Sequence, residues 1–117
     1  MIRFVVEGEP VGKERARKGR GGHWYTPDKT SAYEERVRRA FFIAAGADAL
    51  WNFRRQPAVC VQVRCFFRNG HHPDPDNVQK LVLDALQGMA YKHDRHIASS
   101  NTHGYDPQRP RIEVEIE

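Results

Sequence analysis

The chain has 117 residues, 29% charged and 39% hydrophobic, with 19 Lys and Arg against 15 Asp and Glu, for a formal net charge of +4. This length and composition suit one folded domain over residues 1–117 with a single modest core, and exclude a disordered chain or a multi-core assembly. The longest apolar run is too short to span a bilayer, and MIRFVVEGEP at the start carries no signal-peptide pattern, so no membrane association and a cytoplasmic location are expected.

The first strand is predicted at residues 2–7, where Ile2, Phe4 and Val6 alternate with Arg3, Val5 and Glu7. Gly8, Pro10 and Gly12 end it. Residues 13–20, KERARKGR, follow with five bases and one acid. Residues 1–40 hold ten Lys/Arg against six Asp/Glu, whereas residues 41–117 hold nine of each. A basic excess this local suggests a polyanion, nucleic acid first, although a solvated loop accounts for the charge equally well. With Gly19, Gly21 and Gly22 inside it, the segment 13–22 reads as a mobile loop. The aromatics after it, Trp24 and Tyr25, could stack on nucleotides, but packing into the core is the expectation.

Ser31 and Glu34 form a capping-box pattern at a first helix, whose apolar stripe is Tyr33, Val37, Ala40, Phe41 and Ala44 and which ends at Gly46. Residues 47–57 read as irregular, anchored by Trp51 and Phe53. The strongest strand comes next: Val59, Val61, Val63, Cys65 and Phe67 alternate with Cys60, Gln62, Arg64, Phe66 and Arg68. Cys60 and Cys65 fall on opposite faces, so they should stay reduced and unpaired. Asn69 and Gly70 then turn the chain toward His71, His72 and Pro73.

The stretch 74–94, DPDNVQKLVLDALQGMAYKHD, organises the rest. Pro75 keeps Asp74 out of helical conformation, and Asp76 is placed to cap the helix that follows. Val78, Leu81, Val82, Ala85, Leu86 and Met89 make one apolar stripe. Asp76, Lys80 and Asp84 stand on the opposite face, with Asn77 and Gln87 beside them. Gly88 marks the helix end and Asp94 lies just past it. Mg²⁺ takes oxygen ligands, usually one or two carboxylates with waters and phosphate oxygens, and a lysine one turn along can hold a phosphate oxygen. The same residues also fit ordinary helix chemistry: a capping box of Asp76 with Gln79, a turn at Asp74, and an i, i+4 pair of Lys80 with Asp84. A weak strand at 97–102, a loop at 104–110 and a clean alternating strand at 111–117 close the chain, the last with Ile112, Val114 and Ile116 facing inward. The expected fold is α+β, in the order β-α-β-α-β-β: a small mixed sheet with both helices on one face and its second and third strands parallel.

The spacing D-P-D-N-x-x-K-x-x-x-D-A-L-x-G-x-x-Y-x-x-D resembles the signature of the RusA-type Holliday junction resolvases. G-E-P-V-G-K-E-R-A-R near the start, Y-T-P-D-K-T-S-A-Y-E, and E-V-E-I at the end are similar as well. The resemblance implies a homodimeric endonuclease that nicks four-way DNA junctions symmetrically with Mg²⁺, or Mn²⁺ in its place. It implies catalytic and metal-binding roles for Asp74, Asp76 and Asp94, a catalytic role for Lys80, supporting roles for Asn77 and Asp84, and DNA contacts from Lys13, Arg15, Arg17, Lys18 and Arg20. His93 stands where the family often carries a further acid, and Ala16 where a proline is common. Three other readings compete: a DNA-binding module without catalysis, a nuclease acting on other branched DNA such as flaps or replication forks, and a transition-metal site built from His71, His72, His93 or His96 with the aspartates.

Overall fold

The computed structural model describes residues 1–25, 27–46 and 60–117, apart from the side chain of Arg17. Trp51, Phe53 and Val59 lie outside the described residues. The elements are β1 (Ile2–Glu7), β2 (Arg17–Lys18), β3 (Trp24–Tyr25), α1 (Asp28–Ala45), β4 (Cys60–Phe67), α2 (Pro75–Leu86), β5 (Ala98–Tyr105) and β6 (Arg111–Ile116).

Four strands form one mixed sheet in the order β1-β6-β4-β5. β6 runs antiparallel to both β1 and β4, whereas β4 and β5 are parallel, as the intervening helix requires. Register sets the core. Val114 stands opposite Phe4 on one side and Val63 on the other, and Ile112 stands opposite Val6 and Cys65. Because side chains alternate with a period of two, these residues share one face, and all of them are buried. The stripe of α2 (Val78, Leu81, Val82, Ala85 and Leu86) and the α1 residues Tyr33, Val37 and Phe41 bury against the same cluster. The result is the expected α+β layer, a mixed sheet with two helices on one face.

Three local expectations give way. Helix α1 begins at Asp28, three residues before the Ser31 pattern, and Pro27 occupies its cap position without a side-chain hydrogen bond. Proline suits a helix start, and Glu34 is withdrawn from capping because it is buried in an ion pair. Ala44 is exposed rather than part of the buried stripe. The third main strand continues to Tyr105, past the loop expected from Gly104, because β5 follows the full length of β4 from Cys60↔Ala98 to Phe67↔Tyr105. Gly46 does end α1, at φ 80°, and no helix among the described residues is long and apolar enough to cross a membrane.

Candidate active site

The chain leaves β4 at Phe67, turns through residues 68–74 and enters α2 at Pro75. Asp74 is extended, at φ −58° and ψ 127°, as a residue ahead of proline should be. It is Asp74, not Asp76, that caps the helix: its Oδ1 accepts the Asp76 backbone N–H at 2.9 Å. Pro75 at the first helical position has no N–H to satisfy, so the cap falls one residue before it. The Asp76 carboxylate is thereby free to stand exposed in the first turn, where the helix dipole favours an anion.

Gln79 does not fold back on Asp76. Its Nε2 donates to Ser99 Oγ at 2.9 Å, and its Oε1 accepts from Asn101 Nδ2 at 2.6 Å. The same Asn101 nitrogen donates to Asp76 Oδ1 at 3.0 Å. Two β5 residues therefore clamp the first turn of α2, and neither was singled out from the sequence. ASSNTHGY shows no apolar alternation, so only a run of small polar residues in a strand marked it.

Lys80 is exposed one turn beyond Asp76. It does not pair with Asp84. Lys13 does: its Nζ lies 3.3 Å from Asp84 Oδ2 and 3.3 Å from Glu34 Oε1, joining the N-terminal segment to both helices. Lys13 N–H also donates to Asn77 O at 2.9 Å. Gly12 makes this approach possible, since a Cβ there would come within 3.0 Å of Pro73 Cβ and 3.3 Å of Asn77 Cβ. Lys13 is thus an internal strap, unlike Arg15, Lys18 and Arg20, which are exposed. Residues 9–14 with Lys29, His71, Pro73, Asp74 and Asn77 line a cleft of about 300 Å³ beside the cap.

Asp94 opens a short 3-10 turn, half-buried, with its backbone N–H donating to Gln87 Oε1 at 3.3 Å. Burial pushes the Tyr91 hydroxyl well above its ordinary range, and the nearby Asp94 and Asp84 carboxylates push it further. Among the described residues, no three Asp, Glu, His or Cys side chains converge closely enough to hold a metal ion. The structure joins Asp74 to Asp76 through one hydrogen bond and sets Lys80 on the next turn; it does not gather Asp94 into one cluster with them. Two exposed carboxylates with hard oxygen donors still fit Mg²⁺, which keeps several waters and takes few protein ligands.

The histidines offer less. The His72 ring stacks on Phe67 at 3.9 Å and 7°. Its Nδ1 is 2.7 Å from Pro73 O and its Nε2 is 3.0 Å from Tyr105 Oη, so both ring nitrogens are engaged. His96 Nε2 accepts from Arg95 Nε at 3.3 Å.

Starting within the segment expected to be a loop, residues 17–25 form a short hairpin. Arg17 pairs with Tyr25 and Lys18 with Trp24. Gly19 N–H donates to His23 O at 2.8 Å, and Gly21 and Gly22 take φ values of 77° and 81° that suit glycine. Trp24 is 70% exposed and Tyr25 49%, so neither packs into the core.

The α+β fold sets a pair of carboxylates at a strand-to-helix joint, a lysine on the next turn and a basic hairpin in the chain's N-terminal part. The family model described as endodeoxyribonuclease RusA matches residues 7–117, and the chain belongs to that RusA endodeoxyribonuclease family. No curated relative matches it.

Proposed function

We propose that this protein is a Mg²⁺-dependent resolvase that cuts four-way DNA junctions by paired, symmetric nicks. The observation that carries the reading is the exposed Asp74–Asp76 pair, braced by Asn101 and set on the first turn of α2. Membership of the RusA endodeoxyribonuclease family supports it. Carboxylates there would repel a phosphodiester unless a cation balanced them, and Asp74 and Asp76, with Asp94, are the residues to hold Mg²⁺, or Mn²⁺ in its place. Such an ion neutralises phosphate charge and activates water.

The protein's own residues do the rest. Lys80 holds an oxygen of the scissile phosphate and stabilises its developing charge. Arg15, Arg17, Lys18 and Arg20 hold the DNA backbone. Lys13, Asn77 and Asp84 support the site: Lys13 and Asp84 brace α2 against α1, and the Asn77 carbonyl anchors the segment that carries the bases. A two-fold homodimer would present two equivalent sites to two equivalent strands.

The test is cleavage of an end-labelled immobile four-way junction beside linear duplex of the same sequence, with and without Mg²⁺. Symmetric nicks in the junction alone, only with Mg²⁺, are expected, and Asp76→Asn should abolish them while leaving junction binding intact. Binding without cleavage under both Mg²⁺ and Mn²⁺ would make the chain a DNA-binding module instead.

A further inference from the structure

The β2–β3 hairpin displays two large aromatics where a soluble domain would hide them. Trp24 is the more exposed of the pair. It stands directly opposite Lys18 in an antiparallel pair, and opposed residues project from the same face of a ribbon. The indole and the Lys18 side chain therefore leave the ribbon on the same face, Lys18 Cε passing close to Gly22, with exposed Arg20 in the adjoining turn. The turn is shaped to keep them there. Tyr25 packs its ring over Gly19, where a Cβ would come within 3.2 Å of Tyr25 Cε1, and two positive-φ glycines close the loop. A hairpin of this construction holds its aromatics out; it does not fold them in.

We propose that Trp24 is a stacking platform for one unstacked nucleotide at the branch point of the DNA, with Lys18 on that nucleotide's phosphate. The inference rests on the branched-DNA reading above and adds to it a determinant of substrate selection. An intact duplex keeps its bases stacked inside and offers nothing for an indole to cover. A strand-exchange point leaves base faces uncovered, and base–aromatic stacking is indifferent to sequence because every base has a π-face. The charges of the hairpin bind any DNA; the indole distinguishes branched DNA from linear. An ammonium on the same face as the ring also suits a nucleotide better than it suits the apolar surface of a protein partner, from whose core charged residues are depleted.

The test uses intrinsic fluorescence of the full chain in EDTA, with junction binding followed in parallel by gel shift. Titration with a four-way junction should quench the wild type, linear duplex should leave it nearly unchanged, and Trp24→Phe should lose the quench while still binding the junction. In cleavage assays Trp24→Ala should prefer junction over duplex roughly ten- to a hundredfold less than wild type does, the loss expected for one stacked base, and Trp24→Phe should keep most of the preference. Junction binding with no change in Trp24 emission, or equal quenching by duplex, would overturn the proposal and leave the resolvase reading standing. So would a Trp24→Ala chain whose sedimentation shows a changed oligomeric state, since the aromatic would then cover a second copy. Failure to bind or cut junctions at all would overturn both.

Discussion

Asn101 on the edge strand β5 donates to Asp76 Oδ1 at 3.0 Å and to Gln79 Oε1 at 2.6 Å, so one side-chain amide aims the carboxylate of the helix in front of it. Asn101→Ala should lower the junction-cleavage rate about 10- to 100-fold, the usual effect of removing a partner that orients a functional carboxylate. Junction affinity should not change, because Asn101 carries no charge for the backbone. An unchanged cleavage rate in single-turnover assays would remove Asn101 from the site.

Lys13 bridges Glu34 and Asp84, and its side chain is only 23% exposed. Lys13→Ala would leave Glu34, whose side chain is 10% exposed, with only the longer 3.9 Å contact from Arg38. The expected loss is about 1–2 kcal/mol of stability, read as a lower midpoint in urea. Adding Glu34→Gln should recover part of it. The salt dependence of DNA binding gives the second readout: Arg15→Ala should reduce its logarithmic slope by about 0.9, the value for one phosphate contact, and Lys13→Ala should leave it nearly unchanged. A Lys13→Ala slope that falls as far as Arg15→Ala's would return Lys13 to the DNA surface.

How far the sequence carried the reading depends on the kind of force at each position. The strands with strict alternation, β1, β4 and β6, were legible because burial of one face imposes a period of two. Helix α2 was legible for the same reason at a period near 3.6. The capping aspartate was misplaced by two residues because Asp74 and Asp76 both suit a helix start, and only Pro75 decides between them. Glu34 read as a capping-box partner and Lys13 as a DNA contact; their charges meet across a sequence separation of 21 residues, which no local pattern records. Trp24 and Tyr25 were expected inside because most large aromatics are, and a two-residue strand is too short to show a period. Among the candidate site residues, Asp74, Asp76 and Lys80 could be read from spacing, whereas Asn101 could not, since its partner lies 25 residues away in the chain.

The two cysteines should be chemically unequal. Cys65 on β4 is buried in the core cluster, and burial pushes its thiol up to about 12. Cys60 is partly exposed, and both are free. Ellman's reagent at pH 8 should therefore titrate one thiol in the native protein and two in guanidinium, because only the thiolate reacts. Two equivalents from the native state would mean that the sheet opens.

Acid should loosen the turn between β5 and β6. A side-chain hydrogen bond from Arg111 holds the Asp106 carboxyl below its ordinary 3.8, and one from Arg109 holds Glu7 below its ordinary 4.5. Groups depressed in the folded state contribute their full stability above those ordinary values and lose it as the pH falls through the lowered ones. The melting temperature should hold steady down to about pH 4.5 on this account and decline below it. The double variant Glu7→Gln, Asp106→Asn should start lower and decline less steeply. Parallel declines in the two proteins would assign acid sensitivity elsewhere.

Strand β6 comes later in the chain than every other strand, yet it lies between β1 and β4 and pairs with both. A ribosome making this protein delivers Phe4 and Val63 long before Val114, the residue that stands between them. What can assemble early is the β4–α2–β5 unit, whose strands pair directly, and that unit carries Asp74, Asp76, Lys80, Asp94 and Asn101. Its carboxylates can be brought into position during synthesis, while β1 waits for residues 111–116 to emerge. A message cut short before Arg111 would leave two strands with bare edges, a product for proteolysis instead of a half-active nuclease.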